Sequence, residues 1–289
     1  MGKHIISTPL EHSSVSSTLT ALQEQGYEID LVDIKRDGTI DLDHLKELLR
    51  PDTIVVAVTM VDSELGVVQP VQEIAEILKD HPHCHLHVDA TQAVGKIPVS
   101  FEGVDTMSLT AHKFYGLNGI GLLLKRRNLA LEPLIHGGES TTIYRSGTPT
   151  VALASSLALA LELAVEQLPE HAEAVQKANT FLRTELAKYP KVRINSPENA
   201  IPHILNLSVQ DVKGTVFQRE LNEEGVCVSV KSACSSDGLP SRAVFAVSRD
   251  RRNALSSWRG SLSPRTTEED LRGFLAAFYR CYRGLTETQ

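Results

Sequence analysis

The chain contains 289 residues, of which 42% are hydrophobic, and its formal net charge is −7. This length suffices for roughly two domains with sizeable cores. The lysine and arginine residues are scattered, which argues against a protein that binds nucleic acid through a basic patch. The four cysteines form no CxxC pair or disulfide framework, so we expect a reducing compartment: the cytoplasm, or the mitochondrial matrix in a eukaryote.

The first half of the chain alternates strand-like and helix-like segments. Helix starts are indicated at Ser13, at Asp41 in a capping position and at Pro70. Apolar, often β-branched runs between them predict strands over 3–7, 27–34, 53–61, 84–88, 104–109 and 120–125. This alternation predicts an α/β fold with a mostly parallel sheet flanked by helices.

The pattern changes near residue 150. Helices are predicted over 151–167, 171–189, 216–223 and 268–282, and strands over 204–209 and 226–230. We therefore expect a large α/β domain over 1–160 and a smaller C-terminal α+β domain over 161–289. The apolar stretch 151–168 contains Glu162 and Glu166, which favours a buried helix over a membrane span, and the first residues show no signal-peptide pattern.

Two polar clusters follow predicted buried strands. Asp89 lies directly after the strand 84–88, and Lys113 lies shortly after the strand 104–109. A carboxylate at one strand end and an amine at another suit a cofactor that needs an anion beside a ring nitrogen and an amine at an aldehyde. That cofactor is pyridoxal 5'-phosphate (PLP). We expect Asp89 and Lys113 to share one cleft.

Several motifs occur in a family-specific order and spacing. They are Glu11-His12, the segment 87–96, Thr110-Ala111-His112-Lys113, His136-Gly137-Gly138, the segment 145–149 and Ser232-Ala233-Cys234-Ser235-Ser236. With these motifs the chain resembles the cysteine desulfurases, which are PLP-dependent enzymes of the class V aminotransferase family with fold type I. The resemblance extends over almost the whole chain.

The resemblance implies three catalytic residues. Lys113 would bond to the cofactor aldehyde and then act as acid and base at the substrate Cα. Cys234 would be the nucleophile, whose thiolate takes sulfur from L-cysteine, keeps it as a persulfide and releases L-alanine. His12 would stack on the cofactor ring, although it could instead simply pack at the start of the following helix.

The resemblance also implies the residues that hold the cofactor. Asp89 would pair with the pyridine nitrogen, and Gln92 would hydrogen-bond to the phenolic oxygen. Thr110 and His112 would hold the phosphate. Thr148 would reach the phosphate bound by a partner subunit, so a homodimer is expected.

Arg259 would bind the substrate carboxylate, because a planar guanidinium matches a carboxylate with two hydrogen bonds. The alternative for Arg259 is an ordinary surface arginine. The persulfide sulfur would pass to an acceptor protein, such as a scaffold for iron–sulfur cluster assembly. No membrane or nucleic-acid partner is expected.

The sequence departs from the family pattern in four ways. It starts about ninety residues into that pattern, a difference on the scale of a small domain, so the family's N-terminal phosphate loop would be absent. Asp62 stands where the family has an asparagine near the cofactor, and Lys231 stands where glycine is usual. The segment around Pro264 lacks the family's aromatic residue and second arginine. Two alternatives therefore stay open: an impaired or inactive remnant with a binding role, and another class V reaction such as transamination or selenocysteine cleavage.

The remaining histidines and cysteines suggest no further site. A histidine-rich tract resembles a metal-binding segment: His81, His83, Cys84, His85 and His87. No other cluster completes a closed coordination shell, so no metal is expected. Cys227 and Cys281 lie in apolar surroundings and are interpreted as structural.

Overall fold

The computed structural model describes residues 2–138, 142–230 and 239–287. The first half builds a six-stranded sheet from β1 (His4–Ser7), β2 (Glu28–Leu31), β3 (Thr53–Thr59), β4 (His85–Asp89), β5 (Thr106–Thr110) and β6 (Gly121–Lys125). The strand order is β2-β1-β3-β4-β5-β6. All neighbours are parallel except β5 and β6. The predicted mostly parallel sheet is confirmed.

Three helices connect the first strands: α1 (Ser13–Glu24), α2 (Leu42–Leu48) and α3 (Val71–Leu78). The Asp41 carboxylate caps α2, because it accepts hydrogen bonds from the backbone N–H groups of Asp43 and His44. Pro70 precedes α3, which buries Ile74 and Leu78 against the sheet. All three helix starts lie within one residue of the predicted positions.

The second half is mainly helical: α4 (Val151–Glu166), α5 (Leu168–Leu186), α6 (Gly214–Glu223), α7 (Arg242–Ser248), α8 (Arg251–Ser256) and α9 (Glu268–Thr286). An antiparallel sheet is formed by β7 (Val192–Ile194), β8 (Ile204–Val209) and β9 (Ser257–Ser261). The strand predicted over 226–230 is wrong, since this segment makes only one isolated bridge, between Ser229 and Arg259. One bridge cannot propagate a hydrogen-bonded ladder.

The described residues pack into two hydrophobic clusters. One cluster covers the large sheet and also takes in Ala243, Val244 and Ala246 of α7. The other surrounds Trp258, which stacks on Phe217 at a centroid distance of 5.3 Å and an interplanar angle of 6°. Two cores agree with the expected pair of domains, and the division at residue 160 stays a prediction.

Helix α4 is less buried than its sequence suggests. Only Leu157 and Ala164 of this helix are buried, whereas Leu159 and Val165 are 57% and 64% exposed. Within the described ranges, no single helix has the length and apolar character needed to cross a membrane. Helices α4 and α5 meet those criteria only as a pair, and the pair is bent by 68°.

Candidate active site

The predicted acid and amine lie at one edge of the large sheet. Asp89 ends β4 and stands opposite Ser108 of the parallel neighbour β5, and Lys113 follows three residues after the end of β5. The turn after Asp89 also packs against the Lys113 segment, because a Cβ built on Gly95 would lie 3.3 Å from the Phe114 Cβ. The carboxyl ends of parallel strands are where ligands bind in open α/β sheets.

The Asp89 carboxylate is held in a fixed orientation. It is 7% exposed, and its Oδ1 accepts a hydrogen bond of 2.9 Å from the backbone N–H of Thr91. The Asp89 carbonyl accepts a second bond, of 2.8 Å, from the N–H of Met60. Asp89 therefore caps its own turn, and it presents a buried negative charge at the strand end.

Glu11 is a second buried acid at this edge, and the sequence reasoning assigned it no role. Its Oε1 accepts hydrogen bonds from the Thr8 hydroxyl at 2.7 Å and from the Thr59 N–H at 2.8 Å. Burial raises the pKa of Glu11 to about 8, and the charges of Asp89 and Asp62 act in the same direction. The burial of Glu11 depends on strand β3, which is distant in sequence, so it could not be predicted locally. The Glu11-His12 pair was the only feature of the sequence that pointed to Glu11.

We predict that Glu11→Gln makes the stability of the protein less sensitive to pH. The pKa of Glu11 rises from its ordinary 4.5 to about 8 in the folded state. The folded chain thus keeps a proton that the unfolded chain has lost, so the free energy of unfolding falls as the pH rises between those values. Glutamine has no such proton, so between pH 5.5 and pH 8.5 the wild type should lose about 3 kcal/mol more stability than the variant.

Urea unfolding at pH 5.5 and at pH 8.5 measures this effect. The matched control is Glu73→Gln, at an exposed position of α3. If the free energy of unfolding changed equally with pH in wild type and in Glu11→Gln, Glu11 would hold no proton in the folded protein.

His12 begins α1 as its N-cap. Its Nδ1 accepts a hydrogen bond of 3.2 Å from the backbone N–H of Ser14 and lies 2.9 Å from the Ser14 hydroxyl. The interpretation of His12 as a residue that packs at the start of the helix is therefore confirmed. This hydrogen bond fixes the orientation of the His12 ring in the loop between β1 and α1. Stacking of the ring on a cofactor stays a prediction.

A short 3-10 turn, Ala111–Lys113, carries the candidate lysine. The Thr110 hydroxyl donates a hydrogen bond of 3.1 Å to the Ile120 carbonyl, so it accepts at 3.0 Å from the Nδ1–H of His112. Burial and the neighbouring charge of Lys113 lower the pKa of His112. To hold phosphate, the Thr110 hydroxyl would have to break its hydrogen bond to the Ile120 carbonyl, or the His112 ring would have to take up a proton.

The side chains of Gln92 and Lys96 contact each other in the segment that follows β4. The Lys96 Nζ donates a hydrogen bond of 2.6 Å to the Gln92 Oε1. Burial, together with the positive charges of Lys113 and Arg259, lowers the pKa of Lys96 to about 7. Gln92, Lys96, Lys113 and Arg259 thus surround one region, although Arg259 comes from the second half of the chain.

Arg259 on β9 is half-buried and reaches into this region, so its alternative as an ordinary surface arginine is wrong. Its Nη1 donates a hydrogen bond of 2.5 Å to the carbonyl of Ser63 in the loop after β3. Its Nε is buried and has no hydrogen-bond partner among the described residues. A guanidinium with an unpaired nitrogen is suited to an anionic ligand group.

Asp62, beside Ser63, is fully buried. Its Oδ2 accepts hydrogen bonds from the backbone N–H groups of Glu64 and Leu65, and its Oδ1 has no partner in the part of the chain that the structure describes. Burial and the charge of Glu64 raise the pKa of Asp62 to about 7. The Asp62 carboxyl is therefore partly protonated, and so partly uncharged, near pH 7.

For two predicted residues the assignment stays a prediction. Cys234, with Lys231, lies outside the described residues. Thr148 is exposed in the segment before α4. The interpretation of Cys227 as a structural cysteine is wrong, because its side chain is exposed, whereas Cys281 is buried.

The histidine-rich tract contributes to the sheet. Cys84 is buried, and its burial raises the pKa of the thiol to about 12. The His87 Nδ1 lies 2.9 Å from the Thr106 hydroxyl on the neighbouring strand. Over residues 2–138, 142–230 and 239–287, no group of three or more histidine, cysteine, aspartate or glutamate side chains is arranged to hold a metal ion.

The residues present fit PLP. A buried carboxylate, an amine shortly after the adjacent strand and a glutamine amide would meet its ring nitrogen, aldehyde and ring oxygen, and an arginine would meet the carboxylate of an amino-acid substrate. The corresponding side chains are Asp89, Lys113, Gln92 and Arg259.

Comparisons with known proteins agree on one family. Residues 1–274 match the family "Aminotransferase class-V". A protein of Dictyoglomus turgidum named cysteine desulfurase IscS is 38% identical over 275 residues, which cover 93% of this chain and 70% of that protein. The solved structure of a NIFS-like protein has a TM-score of 0.91 at 33% identity and covers 98% of this chain and 76% of its own. That of SspA in complex with cysteine has a TM-score of 0.78 at 29% identity, with coverages of 91% and 74%.

Proposed function

Because the chain belongs to the class V aminotransferase family, we propose that it is a PLP-dependent cysteine desulfurase, which moves sulfur from L-cysteine to its own thiol and releases L-alanine. The observation that carries this proposal is that Asp89 ends β4 and Lys113 lies in the turn directly after the neighbouring parallel strand β5, at the same edge of the sheet. When bound, PLP supplies an electron sink that stabilises negative charge at the substrate Cα.

The protein side chains bind, orient and move protons around that cofactor. With PLP bound, Asp89 would keep the ring nitrogen protonated, and Gln92 would orient the ring oxygen. Lys113 would hold the aldehyde and exchange the proton at the substrate Cα. Arg259 would hold the substrate carboxylate through its guanidinium.

The phosphate would be held by Thr110 and His112, as the resemblance implies. In the structure the two side chains bond to each other, and Thr110 also bonds to Ile120. We infer that phosphate binding would reorient this pair. His12, whose ring is oriented by its bond to Ser14, would stack on the ring face.

Cys234 completes the reaction as its nucleophile. Its thiolate forms an S–S bond with the substrate sulfur while the Cβ–S bond of the substrate breaks, and the Cβ carbon takes up a proton. One L-cysteine and one enzyme thiol thus become one L-alanine and one enzyme persulfide. No external oxidant or reductant is consumed.

The direct test is a single-turnover assay of the PLP-supplied chain with L-cysteine. The proposal predicts one alanine for each enzyme persulfide, with alanine measured by chromatography and the persulfide by a mass increase of one sulfur atom. PLP binding without alanine would favour the remnant with a binding role. A keto acid in place of alanine would favour transamination.

We also propose that the enzyme is a homodimer in which Thr148 contacts the phosphate bound by the partner. Thr148 is exposed, and it lies between Ile143 and Val151, which are 63% and 70% exposed. An apolar surface beside a predicted cross-subunit residue supports burial against a second copy. Sedimentation equilibrium tests this proposal, and a monomer that binds PLP fully would contradict it.

The sulfur acceptor is proposed to be another protein, such as an iron–sulfur scaffold, within a reducing compartment. Free thiols at Cys84, Cys227 and Cys281 suit such a compartment. The relatives come from bacteria or archaea such as Dictyoglomus turgidum and Methanosarcina thermophila, which supports the cytoplasm and gives no support to the mitochondrial alternative. Transfer of labelled sulfur to purified scaffold tests the acceptor, and retention of the label on the enzyme would contradict it.

A further inference from the structure

Lys96 lies next to the candidate site, and the proposed reaction gives it no role. The chain reverses just before it at Gly95, whose φ of +73° lies in the left-handed region. A Cβ at this glycine would be 3.1 Å from the Ala164 Cβ and 3.3 Å from the Phe114 Cβ. A tight turn between two packed segments therefore brings the Lys96 Nζ to 2.6 Å from the Gln92 Oε1.

Lys96 has an unusual electrostatic environment for a partly buried lysine. Within the described ranges it forms no ion pair with a carboxylate, and the charged groups that act on it are Lys113 and Arg259. His203, on the other side, is neutral, because burial and the charge of Lys96 lower the pKa of His203 to about 4. Holding an ammonium among cations costs stability, so packing alone does not explain this lysine.

The bond to Lys96 determines how the Gln92 amide is oriented. A glutamine amide has an accepting oxygen at one end and a donating nitrogen at the other, whereas an ammonium can only donate. In the structure, and whenever Lys96 is protonated, the Oε1 of Gln92 faces Lys96 and its Nε2 faces away. That Nε2 has no hydrogen-bond partner among the described residues, which leaves both of its hydrogens for a ligand.

We propose that Lys96 is a positioning residue, which fixes the Gln92 amide so that its NH2 group donates to an acceptor oxygen of the ligand in the cleft. The inference rests on the proposed function, since the ligand is the cofactor and the acceptor is its ring oxygen. Without Lys96 the amide could rotate by half a turn and present its own oxygen to that acceptor. Two facing acceptors repel, so the cofactor would bind more weakly.

A double-mutant cycle tests whether Lys96 acts through Gln92. The variants are Lys96→Met, Gln92→Leu and the double variant, and the measured quantity is the Kd for PLP. Binding is followed by quenching of Trp258, the single tryptophan of the chain. Each single variant should weaken PLP binding by about tenfold, which corresponds to the loss of one hydrogen bond. The double variant should bind no more weakly than Gln92→Leu alone.

Two further variants separate positioning from a general effect of charge or folding. Lys96→Arg keeps a donor-only group and should bind PLP within about threefold of wild type. Lys79→Met removes an exposed lysine and should change nothing. Additive effects of Lys96→Met and Gln92→Leu, or an unchanged Kd in Lys96→Met, would overturn the inference. A wild-type chain that binds no PLP would instead overturn the proposed function.

Discussion

Replacing Lys113 by alanine is expected to lower the rate of alanine formation from L-cysteine by about a thousandfold or more. Lys113 lies three residues after the end of β5, whose Ser108 stands opposite Asp89 at the end of β4. Its removal takes away both the covalent attachment of PLP and the group that exchanges the proton at the substrate Cα. Alanine formation and the visible absorbance of the PLP-supplied protein measure the two losses separately.

The control for this prediction is Lys46→Ala, which removes an exposed lysine paired with Asp43 on α2. It should leave both the rate and the absorbance unchanged. A Lys113→Ala variant with the visible absorbance and turnover of wild type would mean that another amine reacts with the cofactor.

Cys234→Ser should lower alanine and persulfide formation by about a hundredfold or more while leaving PLP binding intact. A serine hydroxyl is almost entirely protonated at neutral pH and cannot replace a thiolate as acceptor of sulfur. The reaction then lacks a nucleophile after the cofactor has bound. Chromatographic detection of alanine, with absorbance of the bound cofactor beside it, separates the chemical step from binding.

Cys227 provides the matched control, because it is a free and exposed thiol in the same half of the chain. Cys227→Ser should retain both alanine and persulfide formation. If Cys234→Ser kept the wild-type rates of alanine and persulfide formation, Cys234 would not be the nucleophile.

The large sheet was predictable because its strands combine β-branched apolar runs with turn and capping signals at their ends. The small sheet was only partly predictable. Its strand β8 (Ile204–Val209) matches the strand predicted over 204–209, whereas β7 and β9 were not predicted. Strand β9 reads Ser257–Ser261 and has only one large apolar residue, Trp258, so its pairing with β8 rests on tertiary packing rather than on local pattern. The opposite error occurred over 226–230, where an alternating pattern has no continuous partner strand.

The candidate site divides in the same way. The placement of Asp89 and Lys113 at one edge could be predicted, because the carboxyl ends of parallel strands lie at the same edge of a sheet regardless of the loop conformations. The properties of Glu11, Asp62 and Lys96 could not, since they depend on burial by segments remote in sequence. The bond from Arg259 to Ser63, across 196 positions, likewise has no local signal.

The most direct test traps the covalent bond between the protein and its cofactor. The PLP-supplied chain is reduced with borohydride, digested and mapped by peptide mass spectrometry. A shared Asp89–Lys113 site predicts one labelled lysine, Lys113, with the label lost in Lys113→Ala. Label on Lys96 or on surface lysines instead, or no label at all, would contradict the site.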